Sequence, residues 1–245
     1  MIVALSSELK EAETADLNAD DLAVCIPASA LSPVAFSAWS LSGAAPERGR
    51  FALLGGELFI DMNAQIIGTH GRVKLAVSQV IGVLVTERNL GEFHLDGTRL
   101  THVEAEISND PDACFVSWDS LQTGKVSLVR NSKDEEESLI GSPDWVLEVV
   151  SRSSVRKDTV VLRERYFLAG IREYWLIDAR REKIKFEILV RGAAAYLPQP
   201  VVDGWQISPV FERRFSLVRQ EVNGYWRFEL LSEALPTAAQ SGPKD

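Results

Sequence analysis

The fold is decided by the stretch PDWVLEVVSRSSVRKDTVVLRERYFLAGIREYWLIDAR, which spans residues 143–181. It predicts a strand around WVLEVV, a basic turn, an amphipathic helix and a second strand around EYWLID. Ser153 or Ser154 can cap the start of this helix, and Gly170 suits the position after its end near Ala169. Strand, helix and strand within about 35 residues fit a βαβ crossover, in which the two strands run parallel. The stretch therefore predicts an α/β domain.

A single carboxylate, Glu148, interrupts the apolar strand WVLEVV. A buried charge is unfavourable unless it is paired or binds a metal ion, so this residue requires a functional explanation. Residues 152–165 contain five basic residues against two acidic ones, which concentrates positive charge beside Glu148. This basic segment fits a solvated helix face with ion pairs as well as it fits a surface for phosphate groups. Glu148 is the starting point for the hypothesis of a metal-dependent nuclease.

The composition is that of an ordinary soluble globular protein. The chain has 245 residues, of which 46% are hydrophobic and 25% charged, and this suits one domain with extensions or two small domains. Cys25 and Cys114 do not make a disulfide framework, and no apolar run reaches about 18 residues, so we expect a cytoplasmic protein without a membrane span. The net charge of −9 argues against non-specific coating of nucleic acid, but it allows an enzyme with a local basic strip.

The chain divides into three predicted regions. Residues 1–50 are expected to form an arm followed by a short helix that docks on the main domain. Residues 51–220 are expected to form that domain, and residues 221–245 a C-terminal extension. The tail from Pro236 onward has a composition typical of disorder.

Within the main domain, hydrophobic periodicity predicts one more long helix and several strands. The helix is expected from about His70 to Arg88, with Thr69 as its N-cap. Strands are predicted at residues 57–62, 93–95, 103–107, 113–118, 183–190 and 213–218.

A metal-dependent nuclease needs carboxylates that hold Mg²⁺ or Mn²⁺, together with a nearby cation or base. Asp144 shares a strand face with Glu148, but four residues of strand separate their backbones by roughly 13 Å. The ligand atoms of one Mg²⁺ ion lie within about 4 Å of each other, so Asp144 is a poor co-ligand. Asp112, at the start of ACFVSW, is better placed, because a neighbouring strand lies only about 4.8 Å away.

Six segments of the chain match one known family in their order and separation. They are GGELFIDM (residues 55–62), His70, DPDACFV (110–116), PDWVLEVVS (143–151), KDT (157–159) and AGIREYWLIDA (169–179). Together they resemble the Uma-two family of restriction endonucleases, a bacterial branch of the PD-(D/E)XK nuclease superfamily. The resemblance implies a restriction-endonuclease-like α/β fold, in which a mixed central sheet is flanked by helices.

The resemblance also implies a site and an activity. It places Asp112 at the PD aspartate and Glu148 at the acidic residue of the (D/E)XK element, so both are expected to bind Mg²⁺ or Mn²⁺ and to act in catalysis. The implied activity is hydrolysis of phosphodiester bonds in duplex or structured DNA. DNA is thus the expected partner, and a homodimer is left open.

The lysine of the (D/E)XK element is missing from its usual place, because two valines at residues 149–150 follow Glu148. Members of the family often supply a lysine from the following helix, but that position is Leu162 here. Lys157, in the first turn of the helix, is the candidate replacement as a catalytic residue, and Arg163 is the second choice. Lysine is favoured because its compact ammonium can approach a phosphate or shift its pKa, whereas arginine stays protonated.

Two further residues have both a functional and a structural interpretation. His70 is expected to cap the start of its helix, and the alternative is a contact with a water, phosphate or carboxylate at the site. Glu57 is a candidate third carboxylate.

Three functions remain open at this point. The main hypothesis is a metal-dependent DNA endonuclease. The second is a catalytically inactive module of the same fold that binds DNA or a protein partner, which the missing lysine and the acidic net charge favour. The third, hydrolysis of RNA or a small phosphodiester, would use the same residues.

Overall fold

The computed structural model describes residues 2–6, 23–63 and 67–235. Within these ranges the strands are β1 (Ile2–Ser6), β2 (Ala23–Pro27), β3 (Arg50–Leu54), β4 (Glu57–Asp61), β5 (Gly91–Leu95), β6 (Arg99–His102), β7 (Ile107–Asn109), β8 (Ala113–Ser117), β9 (Val126–Arg130), β10 (Glu136–Gly141), β11 (Trp145–Val149), β12 (Glu173–Asp178), β13 (Lys185–Arg191), β14 (Tyr196–Pro198), β15 (Gln206–Ser208), β16 (Arg213–Val222) and β17 (Tyr225–Ala234). The α-helices are α1 (Pro33–Leu41), α2 (Arg72–Glu87), α3 (Trp118–Gln122) and α4 (Leu162–Leu168). A 3-10 turn, Ala28–Ala30, precedes α1, and π-helical turns at Ile67–Gly71 and Lys157–Val161 lead into α2 and α4.

The sheet that carries the βαβ unit has six strands in the order β14-β13-β12-β11-β8-β5. β11 and β12 are parallel, whereas the other neighbouring strands of this sheet are antiparallel. Gly170, with φ of +78°, ends the crossover helix in a Schellman motif: its amide binds the Phe167 carbonyl, and the Ile171 amide binds the Tyr166 carbonyl. The crossover predicted from residues 143–181 is confirmed.

A second six-stranded sheet has the order β4-β3-β7-β6-β10-β9, in which β6 and β10 are parallel. Two smaller sheets complete the described part of the chain: β1 pairs with β2 in parallel, and β15, β16 and β17 form an antiparallel sheet. The predicted mixed α/β architecture is confirmed, although two large mixed sheets take the place of the single central one.

Alternation along β11 divides the core into two layers. Val146 shares an apolar cluster with buried residues of the second sheet and of α4, namely Leu100, Ile107, Leu162 and Tyr166. Trp145 and Leu147 face the opposite side, where they pack with residues of α2 and the C-terminal strands, including Val77, Ile81 and Phe215. Because side chains alternate along a strand, Glu148 faces the same layer as Val146.

Two details of the predicted helices and strands are corrected by the structure. The helical run begins with the turn Ile67–Gly71, so Thr69 lies inside it and is not an N-cap. The strand predicted at residues 103–107 is wrong: residues 103–106 form a turn, in which Glu106 has φ of +52°.

The C-terminal boundary expected at residue 220 falls inside β16. β17 pairs with β16 along its whole length and packs against α2, so residues 221–234 complete a hairpin and are not a separate extension. The tail expected to be disordered from Pro236 lies outside the described residues, as does part of the arm at residues 7–22. The helix expected in the arm region is α1, which packs on Phe51 and Leu53 of β3.

Candidate active site

The two predicted acidic residues lie on neighbouring antiparallel strands, with Asp112 just before the start of β8 and Glu148 near the end of β11. The pairing of β8 with β11 ends at Ala113 and Leu147, and one residue before Ala113 the Asp112 amide also donates to the Leu147 carbonyl at 3.1 Å. Asp112 and Glu148 both line one cleft, and the negative charge of Asp112 contributes to raising the pKa of Glu148. Asp112 Oδ2 also accepts a hydrogen bond of 2.7 Å from the Val149 amide. Asp112 is 5% exposed and Glu148 is 2% exposed, so both carboxylates are buried.

Lys157 projects its ammonium into the same place from the helical turn after β11. Its Nζ lies 3.9 Å from Glu148 Oε2 and 3.2 Å from Asp158 Oδ1. Burial alone would lower the pKa of Lys157, but the negative charges of Glu148, Asp158 and Asp112 outweigh it and raise the pKa above its usual value. Lys157 is therefore a fixed positive charge at neutral pH.

Asp158 is a third carboxylate in the site, and from the sequence it is recognised only within the KDT segment, with no role of its own. It is 1% exposed, and Ser154 donates its hydroxyl to Asp158 Oδ2. Burial raises the pKa of Asp158, and the charge of Lys157 offsets only part of this effect. In the sequence Asp158 looked like one of the charges that balance a basic helix face, and only its place in the KDT segment could have singled it out.

Two polar residues hold Glu148 in place. The Tyr166 hydroxyl donates to Glu148 Oε1 at 2.7 Å, and Asn109 Nδ2 lies 3.3 Å from the same oxygen. Asn109 also donates to the Tyr166 hydroxyl at 3.0 Å, which closes a buried triangle of hydrogen bonds. Burial raises the pKa of Glu148 well above its usual value, and the neighbouring charges of Asp158 and Asp112 raise it further against the opposing effect of Lys157.

Asp112 is contacted by a lysine of α2 and a histidine of the turn that precedes it. Lys74 Nζ lies 3.1 Å from Asp112 Oδ1 and 2.7 Å from Asp96 Oδ2, and His70 Nε2 lies 3.4 Å from Asp112 Oδ2. Burial would raise the pKa of Asp112, but the His70 hydrogen bond and the charge of Lys74 outweigh it and hold the pKa below its usual range. The expectation that His70 caps the helix start is wrong, because the imidazole contacts this carboxylate from inside the helical run.

Four other residues considered from the sequence lie away from this cluster. Glu57 forms a salt bridge with Arg156 at 2.7 Å and does not line the cleft. Arg163 donates to the Tyr196 carbonyl at 3.2 Å, so it is not a replacement for the strand lysine. Asp144 binds the Ser117 amide and the Ser120 hydroxyl, at the far end of β11. Leu162 is fully buried among apolar residues.

The cluster lies in a cleft of about 80 Å³ between the sheet that contains β11 and the β3–β4 hairpin. Its walls include Asp112, Glu148, Lys157 and Asp158 of the cluster, together with Asp61 of the hairpin. Ser153 donates its hydroxyl to Asp61 Oδ2 at 2.6 Å, which ties the hairpin to the loop after β11. The buried carboxylates are thus reached through a recess and not across a flat surface.

The residues of the cleft fit a hydrated Mg²⁺ or Mn²⁺ ion. No three His, Cys, Asp or Glu side chains in the described part of the chain are gathered closely enough to hold a metal by themselves. Mg²⁺, however, is commonly bound through one or two carboxylates, with waters and substrate phosphates completing its coordination. His70 Nδ1 is buried without a hydrogen-bond partner among the described residues. Repulsion from the negative charges of Asp158 and Asp112 contributes to the raised pKa of Glu148. A divalent cation would relieve that repulsion.

A family model described as "Putative restriction endonuclease", Uma2, matches residues 35–220. The match covers most of the chain and includes Asp112, Glu148 and Lys157. The chain belongs to the Uma2 family. The resemblance drawn from the six sequence segments is confirmed, and membership of Uma2 supports nuclease function in general.

Among solved structures, the chain is similar to a "putative nuclease belonging to DUF820" from Anabaena variabilis ATCC 29413. The two are 19% identical, with a TM-score of 0.49, and the match covers 66% of this Uma2 chain and 82% of the other protein. No curated protein gives a match to the chain. Among the described residues, no helix is both long and apolar enough to cross a lipid bilayer.

Proposed function

We propose that the protein is a metal-dependent endonuclease that hydrolyses phosphodiester bonds in DNA. The observation that carries the proposal is the convergence of Asp112, Glu148 and Lys157 in one cleft, from three separate places in the chain. Two carboxylates and a fixed ammonium are the groups that phosphodiester hydrolysis requires. DNA is proposed as the substrate because the family description names restriction endonucleases.

Each of these side chains has a distinct role in the proposed reaction. Asp112 and Glu148 would hold Mg²⁺ or Mn²⁺, which when bound polarises a phosphoryl oxygen and lowers the pKa of an attacking water. Lys157 stays protonated, so it stabilises the charge that builds up on the phosphate and does not act as a general base. Tyr166 and Asn109 orient Glu148, while Lys74 and His70 orient Asp112.

The experiment is metal-dependent nicking of supercoiled plasmid by the purified protein. Wild type is expected to nick the plasmid with Mg²⁺ or Mn²⁺ and to lose activity with a chelator. Glu148→Ala should be inactive, and the matched control Glu57→Ala should be active, because the Glu57 carboxylate is exposed and bound to Arg156. Equal nicking by wild type and Glu148→Ala would refute the site. Cleavage of an RNA substrate in preference to DNA would refute the proposed substrate.

A second candidate, a binding module that has lost catalysis, is favoured by one observation. Asp112 Oδ1 lies 3.1 Å from Lys74 Nζ, and Asp112 Oδ2 accepts a hydrogen bond from the Val149 amide. Both oxygens of this carboxylate therefore already have partners within the protein and do not need a metal ion. Calorimetry with Mn²⁺ separates the two functions. Binding that disappears in Asp112→Asn supports the enzyme, whereas DNA binding without metal binding supports the module.

A further inference from the structure

A second cavity opens directly from the candidate active site. It has a volume of about 570 Å³ and shares four lining residues with the cleft, namely Arg50, His70, Val149 and Ser153. We call this cavity the arginine trench, after three of the residues that line it, Arg50, Arg152 and Arg180. The cleft and the trench are therefore adjacent, and we call the two together the channel.

The charges of the two halves of the channel are opposite. The cleft contains the carboxylates of Asp61, Asp110, Asp112, Glu148 and Asp158. The described residues that line the arginine trench include no acidic side chain, and their polar groups are three arginines, His70, Asn63, Thr69 and two serines. Such a surface attracts anions next to the place where a cation is expected.

Two of the arginines reach the trench because of the strand topology. β11 and β12 are parallel neighbours, so their carboxyl ends lie at the same edge of the sheet. Arg152 follows β11 and Arg180 follows β12, which places both beyond this edge. In α/β proteins the edge beyond the carboxyl ends of parallel strands is where ligands usually bind.

Arg152 and Arg180 each have hydrogen-bond donors that bind no other described residue. Arg152 is exposed and has no hydrogen-bond or ion-pair partner among the described residues. Arg180 binds Asp178 through Nε at 2.9 Å and Nη2 at 2.7 Å, which orients its guanidinium and leaves Nη1 for another acceptor. Arginine offers five donors in a planar fork that matches the oxygens of a phosphate.

We infer that the arginine trench binds the sugar-phosphate backbone of the DNA strand on one side of the phosphate that is cleaved, with Arg152 and Arg180 as its phosphate contacts. This inference rests on the proposed function, because it takes the cleft as the place of cleavage. Apart from the buried imidazole of His70, the described residues that line the trench include no aromatic side chain on which a base could stack. Contacts here are to the backbone, and binding at this subsite is independent of base sequence.

The test is binding of a fluorescent oligonucleotide, single-stranded and duplex, by full-length protein with chelator present so that no cleavage occurs. Arg152→Ala and Arg180→Ala should each weaken binding about 5- to 20-fold, with the larger loss for Arg152, whose charge is not offset by a neighbouring carboxylate. Each should also reduce the slope of log K against log salt by roughly 0.7 to 0.9, the value for one phosphate contact. Arg181→Ala is the matched control, because this neighbour is exposed and does not line the trench.

The inference is overturned if Arg152→Ala and Arg180→Ala bind with the affinity and salt slope of wild type and Arg181→Ala. The outcome is separate from that of the nicking assay. If the wild-type protein binds DNA through these arginines but never cleaves it, the trench is supported as a site for the DNA backbone and the nuclease proposal is refuted. If the wild-type protein cleaves DNA and neither Arg152→Ala nor Arg180→Ala changes DNA binding, the nuclease proposal is supported and the inference about the trench is refuted.

Discussion

Lys157 Nζ lies 3.9 Å from Glu148 Oε2, so a residue from the helical turn after β11 places its charge where the missing strand lysine would be needed. The two residues that occupy the usual lysine region, Val149 and Val150, are each 2% exposed and belong to the apolar clusters on opposite faces of the sheet. A lysine at either position would have to be accommodated in the core. The helical turn offers an alternative from which an ammonium can reach the same carboxylate.

The first prediction concerns this ammonium. Lys157→Ala should lower kcat for plasmid cleavage about 10²- to 10³-fold, because it removes the fixed charge that stabilises the transition state. Single-turnover cleavage at saturating metal measures the effect. Arg163→Ala is the matched control and should retain activity, since Arg163 binds the Tyr196 carbonyl. A Lys157→Ala enzyme as fast as the control would show that another group provides the charge.

The second prediction concerns the support of Glu148. Tyr166→Phe should weaken Mn²⁺ binding about 10-fold, because the lost hydroxyl no longer orients the carboxylate. Titration calorimetry gives the affinity directly. Tyr196→Phe is the control, since its buried hydroxyl donates to the Ile171 carbonyl instead. Equal Mn²⁺ affinities for the two variants would mean that the hydrogen bond between Tyr166 and Glu148 is only structural.

The third prediction is that metal binding stabilises the fold. Mn²⁺ at 100 times its Kd should add about 2.7 kcal/mol to the free energy of unfolding, which corresponds to a rise in Tm of roughly 5–10 °C for a chain of this size. Glu148→Gln should fold but lose this rise, because a neutral amide is a poor ligand for Mn²⁺. Thermal unfolding with and without Mn²⁺ measures both values, and an identical rise in the variant would place the metal elsewhere.

The fourth prediction concerns Glu173 at the start of β12. Burial raises its pKa to about 7, although the Ser208 hydroxyl, the Val210 amide and the Trp175 indole donate hydrogen bonds to it. The folded state therefore binds this proton more tightly than the unfolded state does. Its contribution to stability is complete below the unfolded pKa near 4.5 and is lost as the pH rises through about 7.

Chemical denaturation between pH 5 and pH 8 tests this linkage. The shift from 4.5 to about 7 corresponds to a loss of up to about 3 kcal/mol in the free energy of unfolding over this window. Glu173→Gln should unfold with a smaller dependence on pH, and Glu229→Gln, at an exposed position, should behave as wild type. A Glu173→Gln variant with unchanged pH dependence would contradict the raised pKa.

The sequence was sufficient to predict those features that depend on local pattern. The apolar run around Glu148 and Gly170 specify the βαβ unit, whereas the serine cap predicted at Ser153 or Ser154 is wrong, because neither hydroxyl accepts a hydrogen bond from an amide of the helical turn. Asp112 was chosen from the family resemblance, which strand spacing allows. The strand predicted at residues 103–107 failed because its apolar residues flank a turn, in which Glu106 takes a positive φ that periodicity does not reveal.

The remainder of the site depends on tertiary packing. Lys74 reaches Asp112 only because α2 crosses the sheet beside β8, and nothing in its own segment distinguishes it from an exposed helical lysine. Tyr166 and Asn109 resemble ordinary core and strand residues until the second sheet packs over β11. The parallel pairing of β6 with β10, on which this second sheet depends, has no local signal in the sequence.

The central claim is that Asp112 and Glu148 hold one divalent ion together, and a crystal soaked in Mn²⁺ tests it most directly. The account predicts an anomalous difference peak within coordination distance of both carboxylates, together with its loss in crystals of Asp112→Asn. A peak bound to other residues, or no peak at Mn²⁺ concentrations that support cleavage, would contradict the account.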